Sequence, residues 1–423
     1  MYKIRKITLS SMLFYVGLLY VLMRPFITVY ITAGYKYIFL LLLVGASLIS
    51  LASWNFKYNF GKVYLMIWFL FYCYVIFNAM FLGDNELLKL AITNNILYTV
   101  PIFFMAVLKE KINWNGVLRF LTVFGMIDSA IAIIEFATKR VFFSRFNIRS
   151  VEYDFGSYSV IRTYGLNGNY FLLAQILCLC GLAAYYLFTF KKEKLGLIGF
   201  LVCTVGVFCT GSRGYYLAYF VGIAFLYFSN NVTKTMDKRT FAKWIALWAV
   251  VIIFGYLIIG TSITTGNQMI DVILMRIRQM FDWENESSNV VRVGHWQKAV
   301  SLWKEHIAFG NGVGVTSSDY SKTLVIPESG VLMRLVEFGL IGTMLQYLTM
   351  LYPLVKGLKS FRYSASRDEN VFFFFAVIIA FSIEDLVLQC YSSLEFTIII
   401  WTAIAYIYYS RVSSSEESSN FIN

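Results

Sequence analysis

Asn169 to Phe190 reads NYFLLAQILCLCGLAAYYLFTF and holds no Asp, Glu, Lys or Arg. A helix of this length reaches about 30 Å, the thickness of a hydrocarbon core. Stretches of the same kind recur outward in both directions, near 7–23, 37–54, 63–82, 88–108, 117–137, 195–210, 214–229, 243–260, 331–355, 371–388 and 392–410. Apolar residues make up 59% of the chain and charged residues 14%, more apolar surface than a soluble fold could hide. The expected fold class is therefore all-α: a polytopic integral membrane protein, one transmembrane domain over 1–423 with about twelve transmembrane helices.

Short loops give the orientation, because Lys and Arg are retained on the cytoplasmic side. Lys3, Arg5 and Lys6 precede the first span. Lys109 and Lys111, Lys191, Lys192 and Lys194, Lys234, Lys238, Arg239 and Lys243, then Lys356, Lys359, Arg362 and Arg367 fall on the same side. Both termini are expected in the cytoplasm, with 138–168 as a first long extracytoplasmic loop and 261–330 as a large one. No small-residue cleavage site follows the first apolar run, which is read as a retained helix. The polar, Ser-rich stretch from Ser413 to Asn423 reads as a solvated tail. All six cysteines lie in or beside spans, which argues against a disulfide framework or a thiolate metal site.

The formal charge of +12 exceeds what orientation requires. Lysine dominates the inner loops, whereas Arg140, Arg145, Arg149, Arg162, Arg213, Arg276, Arg278, Arg292 and Arg334 fall outside. Arginine's planar fork suits bidentate contact with phosphate, so the set points to an outward anion site; headgroup contact is the plainer alternative. Arg213 is the sharpest case, in the polar turn Thr210-Gly211-Ser212-Arg213-Gly214 between two apolar spans. Arginine in such a place is costly and marks a paired or functional site, unless it snorkels to headgroups.

The large loop contributes RVGHWQKAVSLWKEHIAFGNGVG over 292–314 and PESGVLMRLVEFGLIG over 327–342. If 290–305 is helical, Trp296, Ala299, Val300 and Trp303 share an apolar face, and Arg292 lies on it, with His295 one turn on. An interfacial amphipathic helix explains the same pattern. Gly310-Asn311-Gly312-Val313-Gly314 has the makings of an anion-binding nest of N–H groups, or of a flexible turn. Glu328 follows Pro327 at the mouth of a span, where a carboxylate serves as a general base or as a favourable charge at a helix start. Arg334 and Glu337 are expected to pair with each other or with a neighbour. Asp84 and Glu86 form an acidic pair in a short loop, and Asp282, Glu284 and Glu286 alternate without further calcium ligands.

Taken together, Gly211-Ser212-Arg213-Gly214, Arg292 with Trp296, Ala299, Gly310, Gly312 and Gly314, and Glu328 to Gly342 resemble the O-antigen ligase and polymerase superfamily. The resemblance spans about two-thirds of the chain. It implies inverting, metal-independent glycosyl transfer at the outer membrane face, with undecaprenyl pyrophosphate as leaving group. Arg213 and Arg292 match the arginines thought to hold that pyrophosphate. Where ligases carry His-Asn, this chain has Glu328 and Ser329, which favours the Wzy-type polymerase branch for O-antigen or capsule.

On that resemblance Arg213, Arg292 and Glu328 are the expected catalytic residues. Arg162, Arg276, Arg278, His295, Arg334 and Tyr164 are expected to bind substrate, and Tyr153 and Tyr158 to stack on sugars. The implied partners are an undecaprenyl-pyrophosphate-linked oligosaccharide and the lipid bilayer, with flippase and chain-length regulator proteins beside them. No cofactor, metal or nucleic acid is expected, and the implied location is the bacterial cytoplasmic (inner) membrane. A ligase and a lipid-linked oligosaccharide flippase are the rivals. Asp128, Glu135, Glu384 and Asp385 are the acidic residues to watch in a transport scheme.

Overall fold

In the computed structural model, residues 9–31, 61–81, 84–99, 112–143, 152–155, 158–232, 268–279, 287–363, 368–388 and 394–419 are described, with a few isolated positions between them. The described chain is overwhelmingly helical. In order come α1 (Leu9–Phe26, continued by a π-helical stretch Ile27–Ile31), α2 (Lys62–Phe81), α3 (Asn85–Ala91), α4 (Trp114–Thr138), α5 (Tyr170–Thr189), α6 (Lys194–Cys209), α7 (Arg213–Val232), α8 (Gln268–Gln279), α9 (Ser287–Glu305), α10 (Gly330–Tyr363), α11 (Asn370–Val387) and α12 (Leu394–Ser419). One short antiparallel hairpin, β1 (Glu152–Phe155) with β2 (Tyr158–Ile161), departs from the all-α expectation, and it falls inside the expected loop 138–168.

Among the described residues, six helices are long and apolar enough to cross a membrane: Ser11–Ile31, Lys62–Phe81, Trp114–Thr138, Tyr170–Thr189, Gly330–Leu358 and Asn370–Val387. The protein is thus helical and membrane-embedded. The expected spans 37–54 and 243–260 lie outside the described residues. The described part of 88–108 passes from α3 through a π stretch, Ile92–Ile96, into a 3-10 turn, Leu97–Thr99. The spans expected at 195–210, 214–229 and 392–410 fall on α6, α7 and α12.

The chain folds as two compact units. One comprises 1–22, 35–114 and 292–423; the other comprises 23–34 and 115–291. In the first, α10 packs on α2, α11 and α12, and α11 on α12. α2 shows why such a helix belongs in lipid. Tyr64, Trp68, Phe71, Val75 and Asn78 recur at helical spacing on its buried face. The opposite face carries Met66, Phe69, Phe77 and Phe81, all more than half exposed and all apolar.

The second unit is built on a seam of small residues. A Cβ on Gly125 of α4 would lie 2.3 Å from the Cys180 Cβ of α5 and 2.9 Å from the Cys203 Sγ of α6. Gly199 and Gly206 of α6 are closed in the same way by Thr122 and Ser129 of α4. Lipid tails are as apolar as leucine, so close backbone approach through small residues is how membrane helices gain packing.

Candidate functional site: an arginine cluster and a carboxylate–arginine pair

The second unit gathers three of the expected arginines around the turn between α6 and α7. Gly211 takes φ +65, a backbone conformation that favours glycine, and Ser212 N–H donates to Thr210 Oγ1 at 3.2 Å. A Cβ placed on Gly211 would meet Arg162 Cγ at 3.7 Å and Arg276 Nε at 3.8 Å, so both side chains pass directly over the turn. Arg213 opens α7 and donates to the Gln279 carbonyl at 2.6 Å and to Asn289 Oδ1 at 3.3 Å. Arg276 is 3% exposed and donates to Gln279 Oε1 at 3.1 Å. The Arg162 guanidinium lies 4.1 Å from the Tyr170 ring centroid. These contacts fix the three side chains around the turn. Arg278, two residues beyond Arg276 on α8, adds a little to the pull on Asp271, whose carboxyl is held below its ordinary range mainly by the Thr265 N–H and hydroxyl.

Two carboxylates of α4 hold the loop that delivers Arg162. Asp128 accepts from the Leu166 N–H at 2.9 Å and from Asn167 Nδ2 at 2.7 Å. Glu135, seven residues on and so on the same face, accepts from the N–H groups of Tyr164, Gly165 and Phe142 at 2.8, 2.9 and 3.1 Å. Gly165 is required there, because a Cβ would fall 2.4 Å from Asp128 Oδ1. Both acids, watched as transport residues, thus pin a loop. The same pinning draws Tyr164 inward; it is 3% exposed, edge-on to Tyr170, with no face turned out to a sugar. Side-chain placement of Tyr153 and Tyr158 lies outside the described residues, as do Arg149, Asp282, Glu284 and Glu286.

In the first unit Arg292 Nε donates to Glu328 Oε2 at 3.2 Å, and His295 Nδ1 stands 3.7 Å from Glu328 Oε1. The helix expected over 290–305 is α9. Its Ala299 packs into a core with Leu87, Val315, Val325 and Val336, flanked by Leu302 and Trp303. Glu328 has φ +50, uncommon for a residue with a long side chain, and such strain gathers at functional positions. Ser329 caps α10, its carbonyl accepting from the Met333 N–H at 2.9 Å, so Glu328 stands just outside the helix.

Arg334 is not presented to a ligand in this arrangement. It is 1% exposed, pairs with Asp385 of α11, and lies over the Tyr347 ring. The start of α10 rests on that carboxylate, since a Cβ on Gly330 would meet both Asp385 oxygens at 2.1 and 2.3 Å. Glu337 accepts from the Thr316 N–H and hydroxyl rather than pairing directly with Arg334.

The glycine run 310–314 is not an open nest, because its N–H groups are taken up by α10, by His306 and by Asn78 of α2. Gly339 breaks α10, with φ 60 and ψ −167, and frees backbone groups on either side. Asn311 N–H donates to the Val336 carbonyl at 2.7 Å and Gly312 N–H to Glu337 at 3.2 Å. Leu340 and Ile341 N–H groups donate back to Ile307 and Ala308 at 2.8 and 3.1 Å. From α2, Asn78 donates to the Phe309 carbonyl and accepts from Val313 N–H, while Tyr74 donates to Phe309 and Phe338. No freed group can be left to lipid, and this loop satisfies them. Asp84 and Glu86 are likewise engaged, with Tyr320 and with Ser321.

No protein-family model matches the chain, and no curated protein matches it in sequence.

Proposed function

We propose that this chain is a polysaccharide polymerase that transfers a growing glycan from undecaprenyl pyrophosphate onto a lipid-linked repeat unit. The observation that carries the reading is the convergence of Arg162, Arg213 and Arg276 at the Gly211 turn of a membrane-embedded protein. Guanidinium groups that converge on one turn suit a pyrophosphate, and charge developing on a leaving group is stabilised by donors fixed in advance. The motif resemblance to the O-antigen ligase and polymerase superfamily supports the same assignment.

In this reading the acceptor hydroxyl attacks the anomeric carbon, the new glycosidic C–O bond forms, and the bond to pyrophosphate breaks. Arg162, Arg213 and Arg276 take the charge of the departing pyrophosphate, and Arg278 steers the anionic lipid head. Within the first unit, Glu328 is the carboxylate suited to take a hydroxyl proton, with Arg292 and His295 beside it. Arg292, which the resemblance assigns to the pyrophosphate, bonds Glu328. The topology that goes with the reading is twelve spans in a bacterial cytoplasmic membrane, both termini inside, and 138–168 and 261–330 outside.

The test uses purified protein in lipid with lipid-linked repeat units and no nucleotide. A ladder of lengthening glycan, reduced at least ~100-fold by Arg213→Ala or Arg276→Ala, is the expected result. Full-length polymer from both variants removes the proposal. Transfer to a different acceptor makes the protein a ligase, and passage of repeat units across liposomes without a ladder makes it a flippase.

A further inference from the structure

Between α9 and the glycine run the chain turns at 307–309, and there Ile307 and Phe309 each leave more than half of their apolar surface uncovered. This tip is tied to the flanks of two membrane spans. Asn78 Nδ2 donates to the Phe309 carbonyl at 2.8 Å, Tyr74 donates to the same oxygen at 3.0 Å, and Asn78 Oδ1 accepts from Val313 N–H at 3.0 Å. Asn78 and Tyr74 lie three and seven residues before the last residue of α2, about 5 and 10 Å inside its end. On α10 the Ile307 and Ala308 carbonyls accept from Leu340 and Ile341, ten and eleven residues past the helix start and about 15 Å along it. Tyr64 stacks on Tyr352 while Tyr74 reaches Phe338, so α2 and α10 run antiparallel and the tip enters where one ends and the other begins.

Three observations bear on what surrounds the tip. Beside it the spans turn apolar side chains outward, Phe77 and Phe81 on α2 and Leu340, Ile341 and Met344 on α10, so its exposed surface continues theirs. Irregular backbone at membrane depth must be satisfied by protein. The carbonyls of Ile307, Ala308 and Phe309 and the N–H groups of Gly310, Asn311, Gly312 and Val313 are all satisfied in that way. A loop in water needs no such completeness, because water serves its backbone. Lys304, Glu305 and His306, just before the tip, are exposed, which is the order of a segment passing from headgroups into acyl chains.

We infer that 307–309 is a re-entrant tip whose surface is covered by the acyl chains of the bilayer leaflet in which α2 ends and α10 begins. Ile307 and Phe309 are its lipid anchors, and Asn78 and Tyr74 hold it at depth. Lipid is the occupant because the patch is continuous with the outward faces of two membrane spans. The tip is thus set inside the leaflet, although the rest of 261–330 is read as external. The inference does not depend on the polymerase reading.

The experiment uses the unaltered full chain in phosphatidylcholine–phosphatidylglycerol vesicles and two labels. One sample contains a phospholipid with a diazirine in its acyl chain, which on illumination inserts into whatever the chains touch. The other is exposed to hydroxyl radicals generated in the water. Mass spectrometry locates both kinds of adduct. Acyl-chain adducts on 307–309 are expected within about 3-fold of those on Phe77 and Phe81 and at least about 5-fold above those on 317–319, with Phe309 spared by the radicals. Lipid adducts on the spans but not on 307–309, together with oxidised Phe309, place the tip in water and overturn the inference. Neither adduct at 307–309 means that protein covers the tip, a second copy included, and overturns lipid as its occupant.

Discussion

The loop before α5 in one unit and the loop after α9 in the other are held by the same device and carry different chemistry. In each, polar side chains of membrane-spanning helices accept or donate to loop backbone. Asp128 and Glu135 hold 164–167, while Asn78, Tyr74 and Glu337 hold 309–316. The first loop delivers Arg162 to a cluster whose described hydrogen-bond partners are Gln279 and Asn289. In the second unit's counterpart, Arg292 and Arg334 meet carboxylates, Glu328 and Asp385. Fixed loops supply position in both. Three guanidinium groups converge on one turn in the first case, whereas in the second each described pair spends its charge on a carboxylate inside the protein.

The strongest way to break that contrast is to remove an arginine from each side. Arg213→Ala is expected to cut polymer formation at least ~100-fold with little change in thermal midpoint, as loss of a donor to a developing charge does. Arg334→Ala is expected to act on folding first, by about 3–5 kcal/mol, because it takes the guanidinium away from the buried Asp385 carboxylate. Quantifying folded protein and activity per folded molecule separates the two. Equal behaviour of the two variants would dissolve the contrast.

Gly339 is the next largest effect. With φ 60, and with Gly310 N 2.4 Å from where its Cβ would stand, Gly339→Val both strains the backbone and pushes the loop away. At least about 2 kcal/mol of stability is expected to be lost. The yield of folded protein from membranes checks it, against Gly294→Ala, where an added Cβ meets nothing within 4 Å.

The break at Gly339 also marks where sequence reading stops. Hydropathy alone reveals the long spans, since apolar runs of the right length have few other uses. A glycine in such a run is ordinary in membrane helices, and nothing local distinguishes a break from close packing. The arginine at 213 is legible because a polar Gly-Ser-Arg-Gly turn interrupts two apolar runs. Its companionship with Arg162 and Arg276 is not, because those residues lie far along the chain and meet only through the fold. Asp128 and Glu135 show i, i+7 spacing, yet a shared helix face says nothing about backbone N–H groups arriving from a distant loop. The pairing of Arg334 with Asp385 spans 51 residues and Arg292 with Glu328 spans 36, beyond any helical rule.

A milder pair sharpens the comparison of the two loops. Asp128→Asn keeps the shape but turns an amide N–H₂ toward one of two donors, Leu166 N–H and Asn167 Nδ2. The expected cost is about 1–3 kcal/mol, accompanied by weaker binding of lipid pyrophosphate, because the loop that follows Arg162 loosens. Asn78→Ala is expected to cost a similar amount while leaving pyrophosphate affinity per folded molecule unchanged. Binding of a labelled polyprenyl pyrophosphate to both variants decides it. Equal loss of affinity would mean that loop position is not what delivers Arg162.

The smallest expected effect concerns the outer edge of the second loop, where tethers are exposed instead of buried. Asp84 caps α3 through the Glu86 N–H and accepts from the Tyr320 hydroxyl, and Glu86 accepts from the Ser321 N–H and hydroxyl. The Asp84 carboxyl is held below its ordinary value of 3.8, first by the Glu86 N–H and then by the Tyr320 hydroxyl, with Lys322 adding a little. A carboxyl whose folded value is depressed binds its proton more readily in the unfolded chain. Its contribution is therefore complete above 3.8 and fades as the pH falls through that value toward the lower folded one. Asp84→Asn should accordingly differ from wild type in amide exchange around 317–324 at neutral pH, and the difference should shrink as the pH drops below about 4. Salt is expected to change it little, because the main contacts are hydrogen bonds and not ion pairs. A difference that persists unchanged at pH 3 would mean that the tether works through the shape of the cap and not through the charge of the carboxylate.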